Sequence, residues 1–446
     1  MKLTIKNIGK IKEAEIDLDK QLTVFFGPNN TGKTYVSYCI YGLFGQDFLS
    51  ALHTKIFNID KSNIVSDKFL EVDLKETVLP QRESIKKKYI EIRNSFLQAD
   101  LGNYNFDTSK TICYPSFLDS DEKFVAHIES LEKNSLYEFI EDDVKTKYTG
   151  SKLRTFVMSQ SSLKDTKFTD EYELSLLTTK LIGAIFETSF SYLIHCDFIP
   201  AERIGVSVFS KEIGGTRLDK ANNPNAKNSI YPKAINDALI NSIQLDPKKK
   251  KGEMNILADE IEQGVLGGQI HLDDFGNIYF SDDKIKNLPL LNSASTIKSL
   301  ASLVLFLRYD CRKGYTLIID EPEINLHPEN QVKIARVLAK LSNMGVKVIV
   351  STHSDYIIRE FNNLIMLGSS KEYNAKLFEK YTYTKDEILD YKTVGAYHFN
   401  NGKANCINVL KEGFEVESID DVIIKQNNAT TEIRWSLKNK ISNALS

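Results

Sequence analysis

Apolar and polar residues alternate through the first seventeen positions and then give way to an unbroken apolar run. "LTIKNI" and "EAEIDL" carry the period-two alternation of half-buried strands, and "LTVFF" reads as a strand covered on both faces. "DKQ" separates the second from the third. Directly behind, "TYVSYCIYGLF" spaces its apolar residues as a helix does. Residues 45–190 change character. They are charge-rich, with helical patterns in "DEKFVAHIESLEKNSLYEFIEDDV" and "EYELSLLTTKLIGAIFETSFSYL". No heptad is sustained across them, which argues against a long coiled coil. Between 200 and 290 the pattern is mixed. "GGQIHLDDFGNIYF" sets two alternating runs around Asp273, Asp274, Phe275 and Gly276, a hairpin signal.

From residue 292 regular order returns. "STIKSLASLVLFLRY" puts Ile297, Leu300, Val304 and Leu307 on one helical face, and "YTLIID" reads as a buried strand. "PENQVKIARVLAKLSNMG" turns Val332, Ala335, Leu338 and Leu341 inward, and "VKVIVSTHS" is a second buried strand. Helix, strand, helix, strand is the order of a parallel sheet covered by helices, so the fold class is α/β. Residues 366–446 read as further strands and a short helix, with no chemistry of their own.

Composition narrows this picture little. The 446 residues suit one large domain with an insertion, or two to three domains. With 42% hydrophobic and 26% charged residues the chain is globular rather than disordered. A net charge of −3 argues neither for nor against nucleic acid. No apolar run approaches the ~20 residues of a membrane span, and the start "MKLTIKNIGK" alternates like a strand rather than a signal peptide. Cys39, Cys113, Cys196, Cys311 and Cys406 lie far apart, without zinc-ligand spacing, and fit a reducing cytoplasm.

The chemistry begins in "FFGPNNTGKT", residues 25–34, which holds G-x-x-x-x-G-K-T between a strand and a helix. Gly27, Pro28, Asn29, Asn30, Thr31 and Gly32 form a loop whose backbone N–H groups can surround phosphate oxygens, aided by the helix that follows. Lys33 reaches toward the β- and γ-phosphates, and Thr34 offers a hydroxyl to Mg²⁺. "TLIIDEPEINLHP" supplies the second half. Asp320, at the tip of a buried strand, can hold Mg²⁺, and Glu321 can polarise the attacking water. Adjacent carboxylates at such a tip are costly without a cation to balance them. His353 follows the next buried strand, where its imidazole can touch the γ-phosphate; capping that strand is the plainer alternative. Residues 35–315 separate the loop from the acidic tip, so an insertion splits the nucleotide fold.

The phosphate loop, "LIIDEPE", "NLHP" and "STHS" resemble the ABC-type P-loop ATPase heads of the SMC, RecF and OLD groups. The start "IKNIGKIKEAEIDL…LTVFFGPNNTGKT", "FIPAERIG" and "LPLLNSASTIKSLASLVLFLRY…LIIDEPEINLHP" are most similar to stand-alone OLD-type ATPases of bacterial phage-defence and toxin–antitoxin-like operons, of the PARIS and Septu kind. The likeness covers residues 1–45 and about 195–365. It implies a mixed sheet covered by helices and split by a largely helical insertion. It divides the chain into 1–45 and 193–365 for the head, 46–192 for the insertion, and 366–446 to complete the head or bind a partner. It also implies head-to-tail dimers that sandwich ATP between one copy's phosphate loop and the other's signature helix. The signature position falls on Asn292, Ser293, Ala294 and Ser295, of which Ser293 and Ser295 would face nucleotide. The transporter form carries two glycines there and this chain carries none. Asn325 to Pro328 would cross the dimer interface. Arg203 of "IPAERIG" matches without an assigned role, with a structural salt bridge as the plainer alternative, and no glutamine loop is placed.

OLD nucleases carry a Toprim domain with a glutamate and an Asp-x-Asp pair. Nothing after His353 forms that pair; Asp119-Ser120-Asp121 in the insertion does, and reads as a loop. The expected function is therefore a Mg²⁺-dependent ATPase without its own nuclease, acting as a nucleotide-gated sensor or scaffold for a separate nuclease or toxin. A DNA-repair or chromosome-maintenance ATPase and a switch that binds ATP without turnover are the alternatives. Lysine runs at Lys86–Lys88 and Lys248–Lys251 leave DNA contact open, with a solvated face or loop as the simpler reading.

Overall fold

A computed structural model describes residues 2–43, 69–73, 79, 82–101, 112–123, 125–126, 139–141, 144–149, 152–157, 195–209, 231–369, 375–415 and 425–435. β1 (Lys2–Ile8) and β2 (Ile11–Asp17) pair as an antiparallel hairpin, and β3 (Leu22–Phe26) is buried at every residue. The loop at 27–32 leads into α1 (Lys33–Gly42). Of residues 46–192, the described parts hold strand as well as helix. β4 (Phe69–Asp73), α2 (Arg82–Asp100), β5 (Ile112–Pro115), β6 (Phe139–Glu141), β7 (Val144–Thr149) and β8 (Lys152–Val157) follow in order. β4, β8, β7 and β6 form an antiparallel sheet of their own. The helical pattern expected to reach Val144 thus ends in strands. Val144, Thr146 and Tyr148 favour extended backbone, and a short apolar run fits either period. The second helical stretch, 171–193, lies outside the described residues.

β9 (Cys196–Ile199) returns the chain to the main sheet, and α3 (Lys233–Ile243) and α4 (Asn255–Ile261) follow. The expected hairpin forms as β10 (Gln269–Leu272) and β11 (Ile278–Ser281), with β12 (Leu288–Pro289) beside it. Then come α5 (Ser295–Leu305), β13 (Thr316–Asp320), α6 (Pro328–Asn343), β14 (Lys347–Thr352), α7 (Asp355–Ser369), α8 (Ala375–Tyr381), β15 (Val394–Asn400) and β16 (Lys403–Ile407).

The main sheet has nine strands in the order β5-β1-β2-β16-β15-β3-β14-β13-β9. β9, β13, β14, β3 and β15 are mutually parallel, and β16, β1 and β5 bring in antiparallel pairings. Strand side chains alternate between faces. Leu22, Val24, Leu317, Ile319, Val348 and Val350 bury one face with α4, α5, α6 and α7. Phe25, Ile318 and Ile349 bury the other with α1 and α2. β5, from within the insertion, pairs with β1 at the sheet edge, and β15 lies directly against β3. β15 and β16 therefore lie inside the main sheet, and neither half of the chain contains that sheet alone. Among the described residues no helix is long and apolar enough to cross a membrane.

Asp197 stands opposite Leu317 in the β9–β13 pairing, and no salt bridge reaches it among the described residues. Burial, with the nearby Asp310 charge, pushes its carboxyl up from 3.8 to about 6. A folded-state value above the unfolded one means that the stability this group contributes is full below about 3.8 and is lost as pH rises through about 6. Asp197→Asn is expected to raise stability by about 1–2 kcal/mol at pH 7.5 and by nothing measurable near pH 4. Urea titrations of both proteins at the two pH values check this; an equal effect at both would show that the carboxylate is not strained by burial.

Candidate nucleotide site

β3 runs straight into the loop of Gly27, Pro28, Asn29, Asn30, Thr31 and Gly32. Gly27, Asn30 and Gly32 take left-handed φ angles of 133°, 60° and 100°. A Cβ on Gly32 would lie 2.6 Å from the Ile11 side chain, and one on Gly27 would overlap the Phe399 carbonyl, so only glycine fits either point. Thr31 Oγ1 closes the turn by donating to the Pro28 carbonyl at 2.8 Å. No side chain caps the start of α1, so its first-turn N–H groups face the loop, as anion binding requires.

Lys33 is buried, and its Nζ donates to the Gly27 and Pro28 carbonyls at 3.0 and 2.9 Å. Burial lowers its ammonium to about 8, against the opposing pull of Asp320, Glu321 and Glu323. Thr34 Oγ1 donates to Asp320 Oδ2 at 3.0 Å, and Ser351 Oγ donates to the other carboxylate oxygen. Asp320 is 3% exposed; burial pushes its carboxyl up to about 6 although both hydroxyls favour the anion. A buried anion whose partners are two hydroxyls suits a hard divalent cation. Among the described residues no group of three or more histidine, cysteine or acidic side chains could hold a metal ion. Mg²⁺ needs no such cage, because it binds through one or two carboxylates plus phosphate oxygens and water. Thr34 and Asp320 are the pair that would hold it.

Glu321 is left-handed at φ 48°, and its N–H pairs with the Ser351 carbonyl at 2.9 Å. Its Oε1 lies 3.5 Å from His353 Nε2, a contact that holds its carboxyl below the usual range. Asn29 through Tyr35, Glu321, Glu323 and His353 line one pocket. The expected loop, acidic tip and histidine are thus brought together.

Arg203 is a buried residue beside the site for which the sequence offered no role. It is 1% exposed and forms no salt bridge among the described residues. Its guanidinium donates to the carbonyls of Asp320 at 3.0 Å, Glu321 at 2.9 Å, Ser299 at 2.9 Å and Pro200 at 3.3 Å. Burial lowers it to about 10. It therefore clamps the acidic tip to α5. Ser299 Oγ and Thr296 Oγ1 reinforce the link by donating to the Ile324 and Asn325 carbonyls at 2.8 and 3.0 Å. The signal in the sequence was an arginine placed just behind a buried strand in "DFIPAER", visible as a position but silent about its partners.

A family model described as an AAA ATPase domain matches residues 1–358. The chain belongs to this family. A curated relative, the Old nuclease of Escherichia phage P2, is 26% identical over 134 residues, which make up 30% of this chain and 22% of that protein. The chain thus spans about a fifth of that relative's length. Among solved structures it is similar to the SMC head domain from Thermotoga maritima, at 12% identity and a TM-score of 0.34, covering 92% of this chain and 98% of that one. It is also similar to the Smc head domain with an extended coiled coil bound to the C-terminal domain of ScpA from Pyrococcus furiosus. That match has 9% identity and a TM-score of 0.34, over 96% of this chain and 98% of that one.

In this AAA ATPase, Ser293 and Ser295 stand apart from the pocket of their own chain. Ser293 is buried and its Oγ donates to the Pro289 carbonyl at 3.2 Å, whereas Ser295 opens α5 exposed. Asn325 is left-handed at φ 60°, and His327 and Pro328 start α6. The carboxylates of Asp119 and Asp121 are taken by Lys86, Lys123 and Arg82. Lys248–Lys251 lie in an irregular, exposed stretch where Lys249 pairs with Asp310.

Arg203→Lys keeps the charge but cannot serve four carbonyls at once. We expect a stability loss of about 2–4 kcal/mol in denaturant titration, because buried carbonyls lose their donors. Unchanged stability would mean that the clamp contributes nothing.

Proposed function

We propose that this AAA ATPase binds ATP with Mg²⁺, hydrolyses it, and uses the nucleotide state to gate contact with a second copy and with a separate effector protein. The observation that carries this is the meeting of Lys33, the Thr34–Asp320 pair and the Glu321–His353 pair at the ends of three adjacent parallel strands. Lys33 leaves the loop carbonyls for the β- and γ-phosphates. Glu321, turned out of the strand and steadied by His353, accepts the proton of the attacking water. Bound Mg²⁺ supplies charge neutralisation at the phosphate oxygens.

Ser295 and the first turn of α5 would serve the phosphate pocket of a second copy, with Asn325–Pro328 between the copies. The clamp of Arg203 supports this reading, since it ties α5 to the acidic tip and gives nucleotide in one pocket a rigid path to the other. A separate effector is part of this reading, in which Asp119 and Asp121 pair with Lys86, Lys123 and Arg82 and are given no nuclease role. The OLD likeness supports bacterial phage defence as the setting, and the unbonded thiols suit the cytoplasm.

Lys33→Ala should weaken ATP binding by about 3 kcal/mol, roughly 100-fold, with the circular dichroism spectrum retained. ATP affinity equal to that of the wild type would remove the basis of the reading. Glu321→Gln should keep ATP affinity, lose turnover by a factor of about 100 or more, and accumulate as an ATP-dependent dimer in light scattering. A variant that hydrolyses at the wild-type rate, or stays monomeric at saturating ATP, would count against Glu321 as base or against the sandwich.

A further inference from the structure

Glu323 lines the nucleotide pocket half-buried, yet neither the loop nor the acidic tip accounts for it. Its Oε1 accepts the backbone N–H of His353 at 2.6 Å and its Oε2 is buried, while its own backbone N–H and the Thr352 hydroxyl also favour its charged form. A carboxylate so placed costs free energy unless it does something that a neutral side chain does less well. Two buried cations bear on its charge. Arg203 donates hydrogen bonds to carbonyl and hydroxyl oxygens and to no carboxylate, and Glu323 is the first of the acidic groups that favour its charged form. Lys33 feels Glu323 together with Asp320 and Glu321.

We propose that Glu323 is a positioning residue for His353: it holds the backbone N–H of that histidine, so that the imidazole is presented to Glu321 rather than to solvent. His353 is then held at two points, its N–H by Glu323 and its ring by Glu321, 3.5 Å from Nε2. The two glutamates flank Pro322, whose fixed φ holds their relative placement. The negative charge balances Arg203 behind the tip, which a glutamine would not do. This inference rests on the ATPase reading only for its kinetic consequence; the grip on His353 stands or falls separately.

The test compares Glu323→Ala and Glu323→Gln by ATP affinity, kcat and the imidazole resonance of His353, assigned by its loss in His353→Gln. In Glu323→Ala we expect kcat to fall by about 10–100-fold, as a misplaced catalytic group gives. ATP affinity should hold within about twofold, and the His353 signal should move toward that of a solvent-exposed histidine. In Glu323→Gln the amide oxygen accepts the same N–H. That variant should recover most of the lost kcat and keep the His353 signal, with a lower Tm because Arg203 loses its counter-charge. If the alanine variant does not fold, Glu323→Asp, one methylene too short to reach the His353 N–H, takes its place. A glutamine variant as impaired as alanine, or an alanine variant with an unmoved His353 signal, overturns the proposal. A wild-type chain that turns over no ATP, but whose His353 signal still shifts in alanine and not in glutamine, overturns the ATPase reading and leaves the positioning role standing.

Discussion

The site depends on strand register. In a parallel sheet each residue has one face and one height, and a slip of a single position turns every side chain to the opposite face. Here Asp320 pairs with Ser351, and Thr352 pairs with Phe26, the last residue before the phosphate loop. Because Leu317 and Ile319 must bury against α5 and α6, Ile318 and Asp320 are forced to the face that carries α1. That is the face on which Thr34 stands. The Thr34–Asp320 hydrogen bond, between residues 286 apart, is thus a consequence of apolar burial in three strands. The same register ends β14 at Thr352, so that His353 leaves the sheet beside Glu321.

Once assembled, the site is electrostatically loaded. Asp320, Glu321 and Glu323 share a small volume with Lys33 and Arg203, and burial penalises the charged form of Asp320, Glu323, Lys33 and Arg203. In such surroundings each charge is held by its neighbours rather than by water, and hydrogen bonds decide which arrangement wins. Lys33 meets two loop carbonyls, neutral acceptors that a phosphate can displace. Arg203 has the opposite character. Its carbonyl partners belong to the backbone of the tip, of α5 and of Pro200 behind β9. One cation is therefore built to change partners and the other to keep them.

What could be read from the sequence follows the range of the physics. The loop at 27–34, the tip at Asp320–Glu321 and the strands and helices from 295 to 352 are local patterns, and they stand where their spacing put them; the helix at Asp355–Ser369 was not read. The hairpin at 269–281 does too. The role of β15 was not legible, although it lies in the middle of the sheet. Its place beside β3 is a pairing between distant segments, and nothing in "VGAYHFN" names its partner. β5 was hidden for the same reason inside a charge-rich stretch. Arg203 and Glu323 were visible as letters, but their contacts include backbone groups, which carry no sequence signature: four carbonyls for Arg203, the His353 N–H for Glu323.

The late strands bear on the nucleotide loop more closely than their distance in the chain implies. The Phe399 carbonyl occupies the space a side chain at position 27 would need, and His398 stacks on Phe26 with ring centroids 5.3 Å apart. Phe414 also packs against Phe26, with ring centroids 5.8 Å apart. The Tyr397 hydroxyl accepts the Asp17 N–H at 2.7 Å and ties β15 to β2. The floor of the phosphate loop is therefore made by residues from beyond position 390, and its near wall by Ile11 of the first hairpin. A loop whose shape is imposed from both sides pays its ordering entropy during folding rather than on meeting a ligand, which is the condition for backbone N–H groups to bind phosphate strongly. That condition binds the first and last strands of the head into one unit, and β5 and α2 of the insertion join it through β1 and α1.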